Sequence, residues 1–222
     1  MSRMASYLTS TIGRKQTMGI AGLGLSVFVL THMLGNLLIF KGPQAYNEYA
    51  HALVSNPAIY IAEAGLLGIF VLHAINAIGL KIRNAGARTR SYAQTVNGEK
   101  AVSFASKTMI HTGMVILIFT ILHLITFKFG TLYTATYGDA EIRDLHRLVI
   151  EVFQSPIYVA WYILSLIALG VHLSHGVASA FKTLGFNHPR YNCGIETFSL
   201  IYGWIIALGF ISQPVYVFFI HQ

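Results

Sequence analysis

The chain has 222 residues, 55% of them hydrophobic and only 10% charged, with a formal net charge of +7. Its mean hydropathy of +0.59 excludes an ordinary soluble domain and places it among membrane proteins. In that class what matters is which loops carry the Lys and Arg, so the basic balance is not a sign of nucleic-acid binding.

The first 17 residues, MSRMASYLTSTIGRKQT, mix polar and basic groups without an apolar centre, and no small-residue cleavage site follows them. The first helix is therefore expected to be retained rather than removed as a leader. Five apolar stretches are then long enough to cross a hydrocarbon core of roughly 30 Å at about 1.5 Å per residue: residues 18–40, 57–80, 108–127, 155–181 and 196–220. The expected fold is an all-α membrane protein, a five-transmembrane-helix bundle forming one domain over residues 1–222.

Between the first two spans, KGPQAYNEYAHALVSNP has turn residues at both ends and a polar middle, which suits a segment folding back over the mouth of the bundle. After the second span, the polar stretch from Lys81 to Lys107 is the longest and most basic loop. Beyond the third, AEIRDLHRLVIEVF places Leu145, Leu148, Val149, Val152 and Phe153 at helical spacing, predicting a short helix in the interface. Tyr158, Trp161 and Tyr162 open the fourth span and fit an aromatic belt. Cys193, the single cysteine, falls in the last loop and supports neither a disulfide nor a cysteine metal site.

Eleven basic residues fall on the side of the N-terminus: Arg3, Arg14, Lys15, Lys81, Arg83, Arg88, Arg90, Lys100, Lys107, Lys182 and Arg190. Only Lys41, Lys128, Arg143 and Arg147 fall opposite. The positive-inside rule then puts the N-terminus in the cytoplasm and, with five crossings, the C-terminus outside, as expected for a multi-pass protein of the cytoplasmic membrane. Glycines and alanines recur along the spans, as at Gly19, Gly22, Gly24, Gly65, Gly68, Ala74 and Ala77. Close helix packing and room for a planar macrocycle explain them equally well.

Four histidines lie in four different spans: His32, His73, His123 and His172. An ionisable group inside a membrane helix is costly, and such residues face the bundle interior or mark a functional path. Successive helices run in opposite directions, so depth can be counted from the cytoplasmic ends. His32 and His123 lie about 21 and 22 Å up their helices, while His73 and His172 lie about 10 and 14 Å up theirs. The four thus pair at two levels roughly 10 Å apart, as two stacked bis-imidazole haems require. His175 sits one turn from His172 at nearly the same depth, so depth does not choose between them. His111, near the cytoplasmic end of the third span, could donate to a haem propionate.

These motifs resemble the diheme cytochrome b membrane anchors of succinate:quinone oxidoreductases, the single-anchor, five-helix group that includes menaquinol:fumarate reductases. VLTHMLGN resembles the first-helix ligand motif with His32, VLHAINA that of the second helix with His73, HTGMVILIFTILHL ends on His123, and GVHLSHG offers His172. The similarity covers nearly the whole chain. It implies two haems b, His73 and His172 ligating the proximal iron and His32 and His123 the distal one, which settles the choice against His175 by resemblance alone. It implies a flavoprotein and an iron–sulfur subunit docked on the cytoplasmic face, where succinate and fumarate interconvert, and heterotrimers able to pair into dimers. The chain itself would be the electron-transferring subunit, binding no dicarboxylate and exchanging electrons with a quinone, menaquinone by resemblance.

The resemblance also implies a quinone site or proton path on the outer side, for which Glu48, His51 and Glu63 are candidates. His111, His175 and Lys182 are candidates for propionate contact. Where some relatives carry a glutamate two residues before the last ligand, thought to conduct protons, this chain has Gly170. Two other readings are the diheme cytochrome b of a hydrogenase or formate dehydrogenase, and a haem-free transporter or proton channel with a histidine relay.

Overall fold

The computed structural model describes residues 3–86 and 104–220. The middle of the predicted basic loop, with Arg88, Arg90 and Lys100, lies outside the described residues. Five helical segments among the described residues are long and apolar enough to cross a membrane: Thr11–Lys41, Ala58–Asn84, Lys107–Lys128, Pro156–Thr183 and Pro189–Ile220. Large apolar side chains on their outward faces, such as Ile61, Leu67 and Ile75, are exposed, as suits a surface bathed in lipid.

A short helix α1 (Arg3–Thr9) precedes α2 (Thr11–Asn36), which tightens into a 3₁₀ turn over Leu37–Lys41. The first span therefore starts seven residues before the predicted position 18. Ser10 explains the difference: its hydroxyl accepts from the Gly13 N–H at 3.0 Å and caps a helix that hydropathy alone does not detect. Helix α3 (Pro43–Val54) is the segment expected to fold back, and α4 (Ala58–Gly86) follows. Helix α5 (Phe104–His123) ends in a wide π turn over Leu124–Lys128.

Strands β1 (Thr134–Tyr137) and β2 (Ala140–Arg143) pair antiparallel, Tyr137 opposite Ala140, so among the described residues the fold is all-α apart from this hairpin. Residues AEIR, expected in the interface helix, form β2 instead. Gly138 at φ +62° opens the two-residue loop and makes the tight turn possible. The predicted helix survives as α6 (Leu145–Phe153), capped by the Asp144 carboxylate, with Leu148, Val149 and Phe153 buried. Helix α7 (Pro156–Thr183) leads to α8 (Pro189–Ile220). Proline at the first turn starts α8 seven residues before the predicted position 196. Cys193 consequently lies on an exposed helical turn rather than in a loop.

Helices α7 and α8 form the tightest pair. Gly170, Ser174 and Ala178 on α7 oppose Ala207, Gly203 and Ser199 on α8, so each helix presents a small residue every fourth position. Such stripes let backbones approach closely in lipid. A Cβ on Gly203 would stand 2.7 Å from the Gly170 carbonyl oxygen and 2.8 Å from the Ser174 nitrogen. The fully buried Ser199 hydroxyl bonds across the seam to the Ser174 carbonyl at 2.8 Å and the Ala178 N–H at 3.1 Å. Helix α2 packs on α4 and α7 and is tied to α8, where the Tyr202 hydroxyl donates to the Ser26 carbonyl at 2.8 Å.

At the end of the bundle opposite the N-terminus, α3, the hairpin and α6 form a cap around Asn47, which has no exposed surface. Its amide donates to the Asp144 carboxylate at 2.8 Å and to the Tyr137 hydroxyl at 3.1 Å, and its carbonyl accepts from the His146 N–H at 2.8 Å. Asn47→Ala is expected to lower stability by about 2–4 kcal/mol, because three groups lose a partner that water does not replace. A lowered midpoint of detergent unfolding measures this.

Candidate functional site

The four histidines come together in two couples. His32 on α2 and His123 at the end of α5 have ring centres 5.9 Å apart, with planes at 89°. His73 on α4 and His172 on α7 have ring centres 6.3 Å apart, with planes at 68°. His175, one turn further along α7, belongs to neither couple. Gly22 touches the His73 ring ten residues before His32 on α2, and Tyr162 touches His123 ten residues before His172 on α7. Both helices thus space the couples about 15 Å apart, more than the roughly 10 Å expected from depth.

The outer couple is walled by aromatic rings. Phe28 stacks on His32 at 5.3 Å and Phe119 on His123 at 5.7 Å, each one turn earlier on the same helix. Phe210 and Phe127 close the sides at 5.8 Å from His32 and 5.3 Å from His123. The π turn carrying Phe127 is held by Arg143, whose guanidinium donates to the Phe127 carbonyl at 2.9 Å. Small residues surround the inner couple. A Cβ on Gly22 would come within 3.2 Å of the His73 ring, and one on Gly113 within 3.6 Å of the His172 ring.

A backbone carbonyl fixes the proton position on one ring of the inner couple. The His73 Nδ1 lies 3.1 Å from the Met18 carbonyl, which can only accept, so Nδ1 carries the proton. The His73 imidazole therefore keeps Nε2 as a free lone pair. The His172 Nδ1 lies 3.1 Å from the Thr112 hydroxyl, which also reaches the Thr108 and Met109 carbonyls at 3.1 Å, and the His172 ring itself bonds the Met109 carbonyl. His123 Nδ1 meets the Tyr162 hydroxyl at 3.1 Å. The Asn36 amide stands 3.4 Å from both nitrogens of His32, beyond ordinary hydrogen-bond length, and donates instead to the His32 carbonyl at 2.8 Å. Asn36 in turn accepts from the Tyr46 hydroxyl at 2.8 Å, and burial pushes that phenol well above its usual range, keeping it a neutral donor.

Two imidazoles on opposite sides of one metal, each bonded at about 2 Å, have ring centres about 6.2 Å apart, and both couples match this separation. No group of three or more His, Cys, Asp or Glu able to hold a metal ion occurs among the described residues. Two nitrogens are too few for a structural zinc site, which needs four ligands. They suit an iron whose remaining positions a macrocycle fills. None of the hydrogen bonds among the described residues joins the rings of either couple.

The other candidates are dispersed. Glu48 and His51 are exposed on α3, bonded to Gln44 at 2.8 Å and Ser55 at 3.2 Å. Glu63 forms an ion pair with Lys128, tying α4 to the π turn of α5. Lys182 pairs with Glu196 across α7 and α8. His111 is exposed and lines a groove between α5 and α7 of about 260 Å³. Gly65 and Gly68 border open space, whereas Gly22 serves the inner couple. Composition assigned Tyr162 to an aromatic belt, but it is buried and bonded to His123. Its position three turns before His172, on the same helix, is the signal that could have revealed it. No family model, no curated protein and no solved structure matches this chain.

Proposed function

We propose that this chain is the membrane anchor and electron-transfer subunit of a succinate:quinone oxidoreductase or menaquinol:fumarate reductase, holding two haems b between its histidine couples. The observation that carries this reading is the pairing itself: two imidazoles from different helices at metal-bridging separation, repeated at a second level. Each haem, when bound, supplies reversible one-electron chemistry at an iron between two imidazoles. His73 and His172 would hold the proximal group, His32 and His123 the distal one.

The remaining residues prepare those places. Met18 holds the His73 imidazole with Nε2 free, Thr112 contacts His172 at Nδ1, and stacked aromatic rings flank the outer couple. On this reading the basic N-terminal side faces the cytoplasm and docks an iron–sulfur subunit carrying the flavoprotein. A quinone, menaquinone by resemblance, exchanges electrons at the outer side, where the Glu63–Lys128 pair lies about 7 Å beyond His123 along the helix. Glu48 and His51, exposed on the cap, offer proton exchange with water there. Gly170 offers no proton path: a Cβ there would lie 2.9 Å from Ala207 Cβ, so the close approach of α8 leaves no room for a carboxylate.

The complex purified from membranes is expected to contain two b-type haems per copy of this chain, titrating at two resolved potentials. Pyridine haemochrome quantification with a redox titration measures both. A chain that carries no haem overturns the assignment.

A further inference from the structure

Three of the four imidazoles have Nδ1 engaged, and two of those partners are side-chain hydroxyls serving opposite levels: Tyr162 for His123 and Thr112 for His172. An imidazole that ligates through Nε2 carries its remaining proton on Nδ1, and the acceptor of that proton fixes the ring and raises its basicity. Thr112 suits this role beside the Met109 carbonyl, which also bonds the His172 ring: with its own proton on the Thr108 carbonyl, a lone pair is left for His172. The Tyr162 ring is clamped by Phe119 at 4.8 Å and Phe153 at 4.9 Å, so its oxygen has one place to stand.

We propose that Tyr162 and Thr112 are positioning residues, each accepting the Nδ1 proton of one haem ligand and thereby setting the potential of one haem without moving the other. The proposal rests on the diheme reading above. Loss of the acceptor leaves a less electron-donating imidazole, which favours ferrous iron, so the potential of the affected haem rises. The two sites are independent because Tyr162 and Thr112 lie on different helices and touch different couples.

The experiment is a redox titration and low-spin electron paramagnetic resonance of the purified complex carrying Tyr162→Phe, Thr112→Val or Thr112→Ser. Tyr162→Phe keeps the aromatic clamp and is expected to raise the outer potential alone, with its resonance shifted. Thr112→Val is expected to raise the inner potential alone, and Thr112→Ser to restore it. Haem content stays at two in all three, which separates tuning from loss of structure. Should wild-type complex contain no haem, the diheme reading fails and this proposal with it. Should wild type contain two while both hydroxyl-free variants keep its potentials and resonances, the tuning role alone is overturned. A variant that loses both haems, with Thr112→Ser no better than Thr112→Val, also overturns it in favour of a purely structural role.

Discussion

On the diheme reading, replacing His172 with alanine is expected to halve the haem content of the purified complex, from two per chain to one. The ring lies 6.3 Å from His73, so its loss would leave the inner site with one imidazole to hold its haem. His175 cannot substitute without moving α7, whose Gly170 and Ser174 are locked against Gly203. The outer couple lies about three turns away, inside its own aromatic walls, and keeps its haem. His32→Ala gives the mirror result, with the inner haem retained. Pyridine haemochrome quantification and the number of low-spin signals read the outcome. Equal loss of both haems in the two variants, in complexes that remain assembled, contradicts separate sites.

Gly203→Leu is expected to damage the bundle strongly. The new side chain meets backbone, not a flexible tip: the Gly170 carbonyl at 2.7 Å and the Ser174 nitrogen at 2.8 Å. Overpacking of this kind typically costs about 1–3 kcal/mol, and the upper end applies where backbone rather than side chain has to move. Separating α7 from α8 also breaks the Ser199 bonds and displaces His172, two residues before Ser174. The variant should therefore show a lower unfolding midpoint in detergent and, on the diheme reading, weaker haem retention at the inner couple. Gly65→Ala is the matched control. Nothing stands within 4 Å of its Cβ, and alanine favours a helix interior by about 1 kcal/mol. A Gly203→Leu protein as stable as Gly65→Ala would show that the seam does not hold the bundle.

The five spans were legible because each carries a long apolar run, and the histidine couples because alternating helix direction converts residue number into depth. Depth says nothing of rotation about a helix axis. That is why Tyr162 passed as an interfacial aromatic, and why the Gly170, Ser174 and Ala178 stripe went unread beside more conspicuous glycines. Helix starts at Thr11 and Pro189 escaped for another reason. The first turns there are polar, and what begins them is a serine cap or a proline rather than hydropathy. The hairpin was missed because Ile142 and Leu145 also satisfy helical spacing, while Gly138 and Asp139 mark the turn only if the flanking residues are read with a period of two.

The knot at Asn47 imposes an order on biogenesis. Asn47 joins Asp144 and His146, partners 97 and 99 residues later in the chain. A nascent polypeptide has therefore to thread α4 and α5 across the bilayer before α3 can find its mates. Until then the Asn47 amide waits in water or at the lipid boundary. Closure of the outer lid is accordingly a late, long-range step, a checkpoint that reports whether the second and third crossings have been completed.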